Sequence, residues 1–162
     1  MAQLMDGGER RTFSTGAVRD IGDGKGRCDL LPLMCITTFL PRENTQVLVC
    51  IQRFIEKGNE GYLYSAVNEF CKIRNWSRPG MLLEVSKQFE DGAKKYGENN
   101  WQKGIPIHCY IDSAIRHYIK FCDQWEDEPH DRAFCWNIIC AIWTLRVYPE
   151  LDDINHPASD DC

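Results

Sequence analysis

Apolar residues recur at helical spacing in five stretches of the chain, and none alternates as a half-buried strand would. After Pro41, Val47, Leu48, Ile51, Phe54 and Ile55 mark a first helix, with Gly58 placed as its C-terminal cap. A second helix is predicted over roughly 60–74, on a stripe of Tyr62, Leu63, Ala66, Val67 and Phe70. The Pro-Gly pair in "NWSRPG" reads as a loop over 75–80. The third helix, about 81–96, sets Leu82, Val85, Phe89, Ala93 and Tyr96 on one face and Glu84, Gln88, Asp91 and Lys95 on the other. Gly97 ends it, and "ENNWQKGIP" follows as a loop up to Pro106, a favoured residue at a helix start.

The fourth helix, about 107–122, buries Ile107, Ile111, Ala114, Tyr118 and Cys122. Asp112, Arg116 and Lys120 are spaced four apart and share another face. An acidic turn, "DQWEDE", precedes Pro129 and a fifth helix over about 129–147. From Ala133 to Val147 that helix is apolar almost all round, which marks it as the central one. The chain therefore reads as all-α: a single-domain bundle of about five helices. Residues 1–35, rich in Gly and Arg, read as an extended arm draped over the domain. Residues 151–162 read as a flexible acidic tail.

Composition narrows the function classes. At 162 residues there is material for one core. The formal net charge of −5 excludes duplex nucleic acid as an expected partner, because that binding relies on basic surface. It leaves room for a local basic pocket holding a small polyanion. Nine cysteines, an odd count without CxxC pairs, fit neither a disulfide framework nor a zinc finger. They imply mostly buried thiols in a reducing cytosol. No apolar run approaches the roughly 18 residues of a membrane span, and the first residues carry no apolar signal region. A cytoplasmic protein without a membrane partner is expected.

Three features carry candidate chemistry. Asn137 lies in the apolar run "FCWNIICAIW", where a buried amide needs a hydrogen-bond partner. It serves either as a structural tie between helices or as a pocket wall, with His130 two turns back on the same face. His117 and His130 neighbour Asp112, Glu128 and Asp131. Carboxylates on facing helices suit Mg²⁺, whereas imidazoles tilt a site toward Mn²⁺, Fe²⁺ or Zn²⁺. The five carboxylates from Asp123 to Asp131 equally suit a solvated helix cap. The His130-Asp131 pair does not have the spacing of an HD phosphohydrolase, since His117 is too near and Asp152 lies beyond Pro149. In "GAKKYGENNWQKG", Lys95 and its neighbours offer cations, Asn100 an amide, and Tyr96 or Trp101 a stacking face. The Gly-rich "GDGKGRCD", with Lys25 and Arg27, lacks the spacing of a Walker phosphate loop.

Taken in order, "FSTGAVRD…GKGRCDLLP", "GAKKYGENNWQKGIP", "DSAIRH" and "DEPHDRAFCWN" closely resemble the phage and prophage dATP/dGTP diphosphohydrolase N-terminal domain family, related to MazG-like (MazZ-type) pyrophosphohydrolases. The resemblance implies a helical nucleotide-handling domain over 36–150. It also implies metal-dependent cleavage, with Mg²⁺ or Mn²⁺, of a purine deoxynucleoside triphosphate to the monophosphate and pyrophosphate. Carried onto this chain, it places Asp112, Glu128, His130 and Asp131 near metal, with Glu128, His130 and His117 as catalytic groups. Lys25, Arg27 and Arg116 fall near phosphates, Tyr96 or Trp101 faces the base, and Lys95, Asn100 and Asn137 complete the nucleotide pocket. By analogy a homo-oligomer is expected. Relative to a minimal domain, residues of about 36–79 are a helical insertion. MazG-type enzymes also carry an ExxE pair and an ExxD pair. Glu128 and Asp131 satisfy the second, but Glu84 is followed by Lys87 and Glu90 by Ala93, so the third helix holds no ExxE. That departure favours a rival class, a non-catalytic nucleotide-binding protein such as a phage sponge for a nucleotide signal. A helical interaction module is the third option.

Overall fold

A computed structural model describes residues 9–157. Residues 1–8 and 158–162, which include Cys162 and the ends of the expected arm and tail, lie outside the described residues. Two short strands, β1 (Arg10–Thr12) and β2 (Val18–Asp20), open the described chain. They pair antiparallel with Arg11 opposite Arg19. Six α-helices follow: α1 (Leu33–Ile36), α2 (Thr45–Lys57), α3 (Gly61–Arg74), α4 (Arg78–Tyr96), α5 (Ile107–Cys122) and α6 (His130–Val147). The predicted helical class holds, with one extra helical turn, α1, and a hairpin that three-residue strands were too short to announce.

The helices form where their buried stripes meet. In α2, Val47, Leu48, Ile51 and Phe54 face inward, and Gly58 takes the left-handed conformation that closes the helix. Phe70 of α3 is ringed by Phe134 of α6 at 4.7 Å, Phe121 of α5 at 5.0 Å and Tyr118 at 5.9 Å. This aromatic knot joins α2–α3 to the α5–α6 pair in one core. The α6 helix is the most deeply buried, with Ala133, Phe134, Cys135, Ile138, Cys140 and Ala141 almost solvent-free.

Three sequence readings change. The Pro-Gly pair belongs to α4 rather than to a loop: Ser77 accepts a hydrogen bond from the Gly80 amide, and proline is tolerated in a first helical turn. The buried face of α4 is also rotated. Met81, Val85 and Gln88 are inside, while Leu82 and Leu83 are exposed. The chain beyond α6, expected to be loose, is docked as far as it is described. Asp153 accepts from the His108 amide and pairs with the His108 ring, while His156 bonds Asp152 and the Ile55 carbonyl. Asp153 thereby serves the first turn of α5, whose preceding Pro106 has no capping side chain. Among the described residues, eight cysteines are free. No described helix is long and apolar enough to cross a membrane.

Candidate functional site

A cleft of about 1500 Å³ runs between the hairpin with its following loop, the C-terminal end of α4, and the exposed sides of α5 and α6. Its near wall is the segment 18–27, and side chains from the helices hold that segment in place. The Asn100 carboxamide accepts from the Val18 amide and donates to the Val18 carbonyl, both at 2.8 Å, so it acts as a one-residue third strand. Arg19 donates to Asn137 Oδ1 at 2.6 Å and to the Cys109 carbonyl at 3.0 Å, with its guanidinium over the Tyr110 ring. Asn137 Nδ2 donates to the Ala133 carbonyl within its own helix. Lys95 donates to Asp20 at 2.6 Å. Asp112 accepts from the Cys28 amide and from Arg116, and Arg116 also donates to the Gly26 carbonyl.

These contacts locate most of the residues singled out in the sequence. Lys25, Arg27, Tyr96, Asn100, Trp101, Asp112, Arg116, His117, Glu128 and Asn137 all line the cleft. Lys95, Asn100, Asp112 and Asn137 spend their polar atoms on tying the arm to the helices. Arg27 is held by Asp29 through two hydrogen bonds of 2.7 and 2.6 Å, and that bond raises its pKa further above its ordinary range. Burial, followed by the Asp20 carboxylate, pushes the Tyr96 hydroxyl well above its usual value. Trp101 packs edge-on against Phe89 and Trp143, which makes it an apolar floor. Lys25 stays exposed at the mouth of the cleft.

At the far end, the middle of α5 meets the start of α6. His117, Glu128 and His130 each offer a ligand atom, all within 4.8 Å of one another. The two Nδ1 atoms of His117 and His130 lie 2.9 Å apart, and Glu128 Oε2 is 3.9 Å from His117 Nδ1. His130 Nε2 is 2.7 Å from Asp127 Oδ1. An ionised carboxylate accepts, so His130 Nε2 carries a proton and donates it to Asp127. The two Nδ1 atoms share one further proton between them. Burial first, then the positive character of His130, Arg19, Arg116 and Lys120, hold His117 down to about 3, so its imidazole is neutral. Partial burial works against ionisation of Asp127, but hydrogen bonds from Lys120 and His130 outweigh it and hold the acid at about 2.

The acidic turn is thus neither a uniform metal cage nor a uniform solvated cap. Asp123 accepts from the Trp125 indole, Asp127 bridges Lys120 and His130, and Glu128 turns toward His117. Asp131 lies on the other side, paired with Arg74 at 2.9 Å. Asp112 and Asp131 are therefore not brought together with the His117–Glu128–His130 group. Arg19, Asp127 and Gln88 were not singled out as site residues. Arg19 sits in the alternating "VRD" of a strand too short to detect. Asp127 is three residues before His130, a spacing that the intervening Pro129 disguised. Gln88 looked like a surface residue, yet it is buried and lines the cleft.

Fold and site together define a mostly helical protein with a large cleft, at one end of which His117 and Glu128 line the wall in front of the buried His130. The family model described as dATP/dGTP diphosphohydrolase, N-terminal, matches residues 73–154, just over half of the chain, and the chain belongs to that family. The match spans α4, α5 and α6 with their connections, and so contains the His117–Glu128–His130 group. Its name implies a hydrolase of purine deoxynucleotides. No curated protein and no solved structure matches the chain.

Proposed function

We propose that the chain is a metal-dependent pyrophosphohydrolase of phage or prophage origin that cleaves dATP or dGTP to the monophosphate and pyrophosphate. It would work as a homo-oligomer in the cytoplasm of a bacterial host. The observation that carries the reading is the convergence of His117, Glu128 and His130, the first two of which line a cleft that Lys25, Arg27 and Arg116 also line. Two neutral-capable imidazoles and one carboxylate are a chemically sound donor set for a divalent ion. The ion would supply a water of lowered pKa and charge neutralisation at the phosphates.

The remaining work falls to the chain's own groups. Lys25, free of the helical scaffold, reaches the mouth where a triphosphate enters. Arg27 and Arg116 hold positive charge in fixed positions, because Asp29 and Asp112 anchor their guanidinium groups. Preorganised charge of this kind stabilises a developing phosphate anion without reorganising during reaction. Trp101 and Phe89 offer an apolar floor to the base. A second reading, a nucleotide-binding protein without turnover, draws support from the pairing of Asp112, Asp20 and Asp29 with arm or helix cations, which leaves Glu128 as the one carboxylate in the imidazole group.

One assay decides between them. Purified protein is incubated with each dNTP and NTP plus Mg²⁺ or Mn²⁺, and pyrophosphate release is followed. Turnover of dATP or dGTP that is lost in His130→Ala and Glu128→Gln supports the enzyme. Saturable nucleotide binding with no release under either metal assigns the protein to the second class.

A further inference from the structure

We infer that the His117–Glu128–His130 group is a site for a borderline transition-metal ion of the Mn²⁺, Fe²⁺, Co²⁺ and Zn²⁺ class rather than for Mg²⁺, and that Asp127 is the positioning residue that orients His130 toward it. The inference deepens the proposed function and rests on that reading only for its biological setting; the metal chemistry stands on the side chains alone.

Three observations carry it. The first is donor type. Mg²⁺ prefers oxygen and is usually held by one or two carboxylates with several waters, whereas imidazole nitrogen selects later divalent ions. Two of the three donors here are imidazoles. Asp112 and Asp131, the oxygens that would have shifted the balance toward Mg²⁺, are engaged by Cys28 and Arg116, and by Arg74.

The second is spacing. Metal–nitrogen bonds of about 2.0–2.1 Å place two nitrogens at right angles roughly 3 Å apart. The two Nδ1 atoms are 2.9 Å apart. An ion seated off the line between them can therefore bond both nitrogens once the shared proton has left and the two rings have turned their lone pairs toward it, provided that His117 carries its hydrogen on Nε2 in the loaded state.

The third is the outer contact. His130 is 3% exposed and is the first residue of α6, so its ring has little freedom. Its Nε2–H donates to Asp127, which Lys120 holds from the other side at 2.8 Å. Carboxylate–histidine pairs of this form fix the tautomer that leaves the inner nitrogen free to ligate, and their loss costs about 10–100-fold in metal affinity. A hydrogen-bonded histidine pair with no ion is the plain alternative, and the experiment must separate the two.

The test uses the full chain, stripped of metal with chelator and checked for folding by circular dichroism. Co²⁺ is titrated in and followed by its visible absorption, and Mn²⁺ by loss of the free-ion electron paramagnetic resonance signal. One equivalent of Co²⁺ should bind with ligand-field bands, and Mg²⁺ in large excess should not displace it. His117→Ala and Glu128→Gln should abolish the bands. Asp127→Asn should weaken Co²⁺ binding about 10–100-fold while keeping one equivalent and the same band positions. The inference is overturned if the wild-type chain takes up neither ion, if Mg²⁺ competes on equal terms, or if Asp127→Asn binds Co²⁺ as tightly as wild type. Because no nucleotide is present, this outcome is separate from that of the pyrophosphate assay: a chain that binds Co²⁺ as described but cleaves nothing loses the proposed activity and keeps the site.

Discussion

At the scale of single residues, the wall of the cleft is held by polar side chains that bond the arm's backbone, as Asn100 and Asp112 do, or its side chains, as Lys95 and Asn137 do. Asp20 shows how such a contact makes the arm sensitive to acid. Burial works against its ionisation, yet hydrogen bonds from Lys95 and Tyr96, with the charge of Lys95 and Lys25, win and hold the carboxyl below its ordinary value of 3.8. A folded pKa below the unfolded one means that the unfolded chain binds the proton more readily. The stabilisation is thus fully present above the unfolded value and is lost as pH falls through the folded one. Thermal melts between about pH 5 and about pH 2 should show wild type losing more stability than Asp20→Asn, with the two curves converging at the acid end. Parallel curves would show that the Lys95–Asp20 bond contributes nothing to the fold.

At the scale of elements, the connection from α4 to α5 is held tightly at Gly104. Gly104 has φ +93°, and a Cβ there would lie 2.6 Å from Leu151 Cδ1 and 3.3 Å from the Tyr148 ring. Gly104→Ala should cost about 1–3 kcal/mol through backbone strain alone, with the clash added. Chemical denaturation should report it as a fall in midpoint at unchanged slope. The same turn shows what the sequence could and could not reveal. The helices from α2 to α6 were legible because each buries a stripe long enough to set a period. The α4 stripe is right at Val85 and Phe89 and wrong at its edges, since Leu82 is apolar yet exposed, while Gln88 is polar yet buried. The hairpin was invisible for a different reason: its third partner is a side chain, Asn100, which lies 82 residues from Val18. In the site, His117, Glu128 and His130 were all named from sequence. Asp112 and Asp131 are expected beside them from nearness in sequence and from the family resemblance, and neither reveals that Cys28 and Arg116 already hold Asp112 and Arg74 holds Asp131. Arg74, which claims Asp131, comes from α3, in the stretch read as an insertion.

At the scale of the whole molecule, the arm and the helical body meet across the cleft, so anything that binds there is expected to bind the folded chain alone. A ligand at about a hundred times its Kd then stabilises the fold by about 2.7 kcal/mol. With a net charge of −5 the chain repels a long polyanion, but a nucleotide meets only the local field of Lys25, Arg27 and Arg116. Thermal shift should therefore rise with dATP or dGTP, in the presence of a divalent ion, and stay flat with duplex DNA at physiological salt. Hydrogen exchange refines the expectation. The amides of Val18 and Cys28, at the two ends of the arm segment that walls the cleft, are held by Asn100 and Asp112. Both should exchange more slowly with nucleotide bound, because a ligand that touches the arm and α5 together suppresses the opening that frees them. A thermal shift without protection at these two amides would place the nucleotide elsewhere on the molecule, and would separate the family's activity from this cleft.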